Sequence, residues 1–224
     1  MGHLLKMLQR FLNSKWTKVL VFLSCLAPLS MLVWKGFHGD LTANPVEYIE
    51  HTTGDWTIYF VLITLSITPL RKLVPQLNLI RLRRMTGLYA FFYGFLHFFT
   101  YGLFDQMFNW MSITMDVYKR PFITVGFLGF VLMIPLALTS TAGMIRRLGG
   151  KRWQRLHQLI YVTGIAGVIH YYWLVKSDIT LPVRYGAILA FLLLVRVAFW
   201  RKGRQAKAAR ASAKKTPGET APAT

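Results

Sequence analysis

The sequence has 224 residues, 54% of them hydrophobic, and a mean hydropathy of +0.40. That is too apolar for an ordinary soluble domain and predicts an all-α, polytopic membrane protein. The formal charge of +19 is confined to loops and ends, and the single cysteine, Cys25, excludes an internal disulfide, CxxCH haem attachment and a cysteine-held iron–sulfur cluster.

Residues 1–16 read as a basic, amphipathic cytoplasmic lead-in to a six-span domain over 17–200. The first span is 17–34. Its basic flank resembles that of a signal peptide, but no small-x-small cleavage site follows, so an uncleaved helix is expected. Residues 35–53 form a polar outer loop with His38, His51, Asp40, Glu47 and Glu50, and an Asn-Pro turn at 44–45 that leads into a short helix, a segment suited to a lid or a docking surface. The second span is 54–70, and 71–84 is a basic loop. The third span, 85–104, carries His97, and 105–120 is a mixed loop. The fourth span is 121–141, followed by a second basic loop at 142–152. The stretch 151–176 opens with basic residues and continues for about twenty mostly apolar ones, long enough to cross a bilayer as a helix. It is the fifth span and carries His157 and His170. The sixth span is 181–200. The tail 201–224, rich in Lys, Arg, Ala, Ser, Thr and Pro, is expected to be disordered and cytoplasmic.

Lysine and arginine mark cytoplasmic loops. The basic segments (the N-terminus, 71–84, 142–152 and the tail) alternate with weakly charged ones, as six spans with both ends inside require. Next to a membrane span, the basic tail reads as a topogenic or lipid-headgroup element rather than a nucleic-acid site.

His97 lies thirteen residues past Arg84, and His170 fifteen past Arg155. At about 1.5 Å per helical residue, both sit about 20 Å in from the inner boundary. Spans three and five are parallel, so the two imidazoles stand at matching depth. Such a pair either clamps one haem iron from both sides or hydrogen-bonds across the bundle. Gly87, Ala90 and Gly94 share the face of His97, and Ala166 and Gly167 precede His170. These small residues leave room for a flat macrocycle or serve close helix packing. His157 lies near the inner boundary with no histidine opposite it, and about 140° from His170 around an ideal helix. It is a ligand of a second haem, brought into line by a tilt or a π-bulge, or a headgroup-level histidine, or a contact for a haem propionate or a flavin. His38 and His51 read as surface histidines.

No Asp or Glu lies inside any span, which counts against proton-coupled transport. No GxGxxG follows a strand, so electrons are not expected to come directly from NAD(P)H.

The segments RRMTGLYAFFYGFLHFFTY (83–101), TSTAGMIRRLGGKRWQRLHQLIYV (139–162), HYYWLVK (170–176) and ANPVEYIEHTTG (43–54) together resemble the MsrQ (YedZ) family. The likeness covers 15–200. The histidine-bearing patterns are also similar to the wider ferric reductase and NADPH oxidase transmembrane domain. The resemblance implies a multi-pass inner-membrane protein with b-type haem and FMN. It implies a periplasmic partner, the molybdopterin methionine-sulfoxide reductase MsrP, and electrons drawn from the quinone pool or a cytoplasmic flavin reductase. His97, His157 and His170 match the family's haem histidines, whereas the inner histidine of the oxidase pattern is missing from span three. The other readings of the residues are a stand-alone ferric-chelate reductase and a non-redox membrane anchor.

Overall fold

The structure, a computed structural model, describes residues 2–75 and 78–215, and the described residues contain helices and no strand. In chain order these are α1 (Gly2–Asn13), α2 (Lys15–His38), α3 (Pro45–Leu73), α4 (Ile80–Thr100), a π-helical turn (Tyr101–Asp105), α5 (Trp110–Lys119), α6 (Pro121–Leu138), α7 (Ala142–Leu148), α8 (Gly150–Leu156), α9 (Leu159–Leu174) and α10 (Thr180–Lys215). All six sequence-predicted spans are helical. Of these, α2, α6 and Thr180–Arg210 of α10 are long and apolar enough to cross a membrane by length and composition.

The helix ends follow from local chemistry. Ser14 caps α2 by accepting the Trp16 N–H, and Gly39 closes it in the left-handed region at φ 71°. Asn44 accepts the Glu47 N–H while Pro45 supplies the preset φ of a first helical turn. Asn109 accepts the Ser112 N–H and starts α5.

Three segments depart from the sequence reading. The fifth span is not one helix from 151, because the chain turns at His157 and Gln158 between α8 and α9. The angle between His157 and His170 on an ideal helix therefore has no counterpart. The π-helical turn occurs instead just after His97. The mixed loop 105–120 holds α5, built on the i, i+3, i+4 face of Ile113, Asp116 and Val117. Finally, 201–215 continues α10 rather than lacking structure: its Ala, Lys, Arg and Gln residues are all good helix formers. Residues 216–224 of the predicted tail lie outside the described residues.

Helix α3 packs most closely on α4, and α6 on α9; the two pairs meet through α4–α6 and α3–α9 contacts. The core centres on Phe60, Val61 and Leu65 of α3 against Tyr89, Ala90 and Tyr93 of α4. Tyr93 stacks on Phe60 with ring centroids 5.4 Å apart. Its hydroxyl donates to the Cys25 carbonyl at 2.9 Å and accepts from the Leu29 N–H at 3.2 Å, the pair that a regular helix joins directly.

Proline creates a second polar junction. Pro69 has no N–H, so the Leu65 carbonyl one turn earlier has no helical donor. The Arg196 guanidinium of α10 donates to it and also to the Tyr161 hydroxyl at 2.9 Å. Arg196→Leu leaves a buried carbonyl unpaired and is expected to cost about 1–3 kcal/mol, read as a lower unfolding midpoint in detergent. In a Pro69→Ala background, where residue 69 again donates, the same substitution should cost clearly less. Equal losses in the two backgrounds would show that Arg196 does not serve that carbonyl.

Candidate functional site

His97 on α4 and His170 on α9 face one another, with ring centroids 6.1 Å apart and ring planes at 72°. Each imidazole is held by the helix on which its own helix packs. His97 Nδ1 bonds the Glu50 carbonyl of α3 at 2.9 Å, and His170 Nδ1 bonds the Phe122 carbonyl of α6 at 2.7 Å. A carbonyl only accepts, so the hydrogen sits on Nδ1 in both rings and Nε2 keeps its lone pair. Neither Nε2 has a hydrogen-bond partner among the described residues.

A glycine lies one turn after each accepting carbonyl. Gly54 follows Glu50, and a Cβ there would stand 3.3 Å from His97 Nδ1; Gly126 follows Phe122, and a Cβ there would stand 2.6 Å from His170 Nδ1. In a helix the side chain at i+4 shields the carbonyl at i. Glycine at that place uncovers the carbonyl for a second donor and lets the ring lie against the backbone. The same carbonyl–glycine device thus seats both histidines, from two different helices.

The rings border a cavity of about 300 Å³ between α3, α4, α6 and α9, which Gly94, Gly129 and Gly167 also line. Not every predicted small residue serves it. Gly94 and Gly167 do, whereas Gly87 packs on Thr64, and Ala166 packs on Gly129 with a Cβ contact of 3.3 Å. The aromatic wall includes Phe98 and Phe130, stacked at 5.0 Å. The mouth carries Glu50, His51, Asp55, Asp105 and Arg120. Burial above all, then Asp105 and Glu47, pushes the Glu50 carboxyl up to about 7. Near neutral pH this carboxyl is therefore about half protonated, and the mouth is less negative than its composition implies. Arg120 pairs with Asp116 at 3.5 Å, and Asp116 also accepts from the Tyr101 hydroxyl and Gln106.

His157 is placed apart from this pair. Its ring stacks on Trp153 at 3.8 Å, its Nδ1 lies 3.1 Å from the Trp153 carbonyl, and its Nε2 is 3.4 Å from Ser140 Oγ. His38 stacks on Trp34 and bonds its carbonyl, and His51 lies exposed 3.9 Å from Glu47. Among the described residues no three His, Cys, Asp or Glu side chains converge to hold a metal ion. A macrocycle-bound iron asks for less, because it needs protein ligands only along its axis. Two metal–imidazole bonds of about 2 Å, plus the distance from each nitrogen to its ring centre, separate the rings by about 6 Å. The observed spacing, the free Nε2 atoms and the glycine seats fit such a group.

Residues 53–168 match the family described as ferric reductase like transmembrane component. Fold and match together define the class: an all-α membrane bundle of the ferric-reductase-like kind. The chain is also similar to the protein-methionine-sulfoxide reductase heme-binding subunit MsrQ of Herminiimonas arsenicoxydans, with 53% identity over 192 residues, 85% of this chain and 88% of that protein. It is 50% identical over 191 residues to the MsrQ of Ralstonia nicotianae, covering 84% of this chain and 88% of that one. To the MsrQ of Bordetella pertussis it is 48% identical over 191 residues, covering 84% and 92%. The chain belongs to the MsrQ family. No solved structure matches it.

Proposed function

We propose that this chain is the haem-binding, electron-carrying membrane subunit of a periplasmic methionine-sulfoxide reductase system. The observation that carries the reading is the His97–His170 pair, with both Nε2 atoms free and both Nδ1 atoms tied to backbone carbonyls across a cavity 6.1 Å from ring to ring. It is supported by relatives named as heme-binding subunits of that reductase.

In this reading His97 and His170 would hold one b-type haem within the 17–200 domain. The carbonyls of Glu50 and Phe122 fix the tautomer and orientation of the two rings, as hydrogen-bonded carbonyls do for metal-bound histidines generally. When bound, the haem supplies a one-electron carrier whose potential the ligands and burial set. The apolar walls keep water from the site. Electrons enter from the quinone pool or a cytoplasmic flavin reductase and leave to the periplasmic molybdopterin enzyme MsrP. FMN is proposed as a further cofactor at the basic inner side, with no residue assigned. His157, stacked on Trp153 at that side, serves electron entry; its alternative role is to hold a second haem, and haem per chain decides between the two.

The test is the visible spectrum of the purified protein, oxidised and reduced, with haem quantified. The reduced spectrum should return to the oxidised one only when MsrP and a methionine sulfoxide are both added. A colourless protein would leave the membrane-anchor reading, and sulfoxide reduction by this chain alone would overturn the conduit.

The chain is further proposed to lie in the inner membrane with both termini cytoplasmic. Reporters fused after Lys119 and after Lys176 should then behave as periplasmic. A cytoplasmic readout at either position would undo the matched depth of His97 and His170.

A further inference from the structure

Helix α5 lies at the outer end of the proposed topology, between α4 and α6. Three of the chain's nine methionines fall within nine residues here, at 107, 111 and 115. Met111 and Met115 lie one turn apart on one face of α5, and Met107 lies in the turn just ahead of the helix. They are 85%, 73% and 43% exposed, whereas Met133 beside the cavity is 5% exposed. The opposite face is anchored. Ile113 is buried, and Asp116 is held by the Tyr101 hydroxyl at 2.9 Å, by Gln106 at 3.0 Å and by Arg120. Ahead of the helix, Met107 and Phe108 both take left-handed backbone, at φ 46° and 53°. That conformation is costly without glycine. It turns Phe108 in against Gly102 while Met107 stays outside.

A thioether exposed in this way is reactive. It takes one oxygen atom from a peroxide, which is reduced to water, and the sulfur loses two electrons. The reverse step consumes two electrons and two protons, breaks the S–O bond and releases the oxygen as water. The face also stands where a reductase has to come. Val117 and Arg120, at the C-terminal end of α5, line the same cavity as His97 and His170. A partner close enough to accept electrons from that cavity is beside α5, at high effective concentration.

We propose that Met107, Met111 and Met115 form an oxidant-accepting face, and that their sulfoxides are themselves substrates of the reductase this subunit serves. The second half rests on the function proposed above. The face acts as a sacrificial shield at the electron exit. Its oxidation is reversed by the electrons passing beside it.

The full-length protein in phospholipid nanodiscs is treated with limiting hydrogen peroxide, then with MsrP and dithionite, and peptides are weighed by mass spectrometry after each step. One added oxygen per methionine should accumulate at 107, 111 and 115 several-fold faster than at Met133 or Met85, and should disappear after the second step. Free methionine sulfoxide is run in parallel. If it is reduced while the three sulfoxides persist, the self-repair is refuted and the conduit stands; if neither is reduced, both fail. Oxidation of Met133 as fast as of the outer three would refute the oxidant-accepting face. The triple Met107→Leu, Met111→Leu, Met115→Leu variant should lose oxygen uptake in this segment and keep the reduced haem spectrum. Uptake at the same rate in that variant would place the reactive sulfur elsewhere.

Discussion

Replacing either His97 or His170 with alanine is expected to remove most of the low-spin haem absorbance, whereas His157→Ala should retain a spectrum of bis-histidine type. The asymmetry follows from the rings. His97 and His170 each lock Nδ1 onto a carbonyl of a neighbouring helix and leave Nε2 without a hydrogen-bond partner among the described residues, with the two ring centroids 6.1 Å apart. Deleting one leaves the iron with a single protein ligand in an apolar site. His157 bonds within its own turn and stacks on Trp153, so its loss should affect haem content or electron entry rather than the axial pair. Haem per chain and reduced-minus-oxidised spectra of the three variants decide the matter. Equal loss in all three would mean that ligation is shared along the fifth span, and would sink the assignment of the outer pair.

The paired histidines were legible in the sequence because depth follows from counting. A fixed rise per residue and a basic flank on each helix put His97 and His170 at one level without any knowledge of packing. What holds the rings was not legible. Glu50 is a loop acid and Phe122 a span aromatic by composition, and each acts here through its carbonyl, which no side-chain pattern reports. Gly54 and Gly126 read as ordinary span glycines, because their meaning depends on which helix lies opposite. The small residues beside the histidines were separable only in three dimensions: Gly94 faces the cavity, while Gly87 and Ala166 serve helix contacts. The turn at His157 escaped hydropathy because apolar runs do not report a change in helix axis. The extension of α10 past 200 escaped it for the opposite reason. A basic, alanine-rich segment has the composition of a disordered tail and the intrinsic propensity of a helix.

The glycine seats give the sharper test of the site, because they touch neither the ligand atoms nor the charge of the chain. A Cβ at residue 126 would meet Nδ1 of His170 at 2.6 Å and two carbons of the ring at 2.9 Å. All three atoms belong to a rigid ring already bonded to the Phe122 carbonyl, so no flexible end can give way. Gly126→Ala must push the imidazole off that carbonyl and move Nε2 with it. Overpacking of this kind costs about 1–3 kcal/mol, a loss of roughly 5- to 150-fold in haem affinity. At residue 54 the corresponding contact with His97 is 3.3 Å, which a shift of a few tenths of an ångström relieves, so Gly54→Ala should lower affinity by a smaller factor. Gly203 on α10 has nothing within 4 Å of its Cβ, and alanine there is a better helix former, so Gly203→Ala is the matched control. The measurement is haem retained per chain through purification, followed by the rate of haem transfer to an apoprotein acceptor. The expected order of haem loss is Gly126→Ala, then Gly54→Ala, then Gly203→Ala indistinguishable from the parent. If Gly126→Ala keeps its haem as tightly as Gly203→Ala does, the ring of His170 does not lie against that backbone, and the geometry on which the proposed ligation rests is wrong.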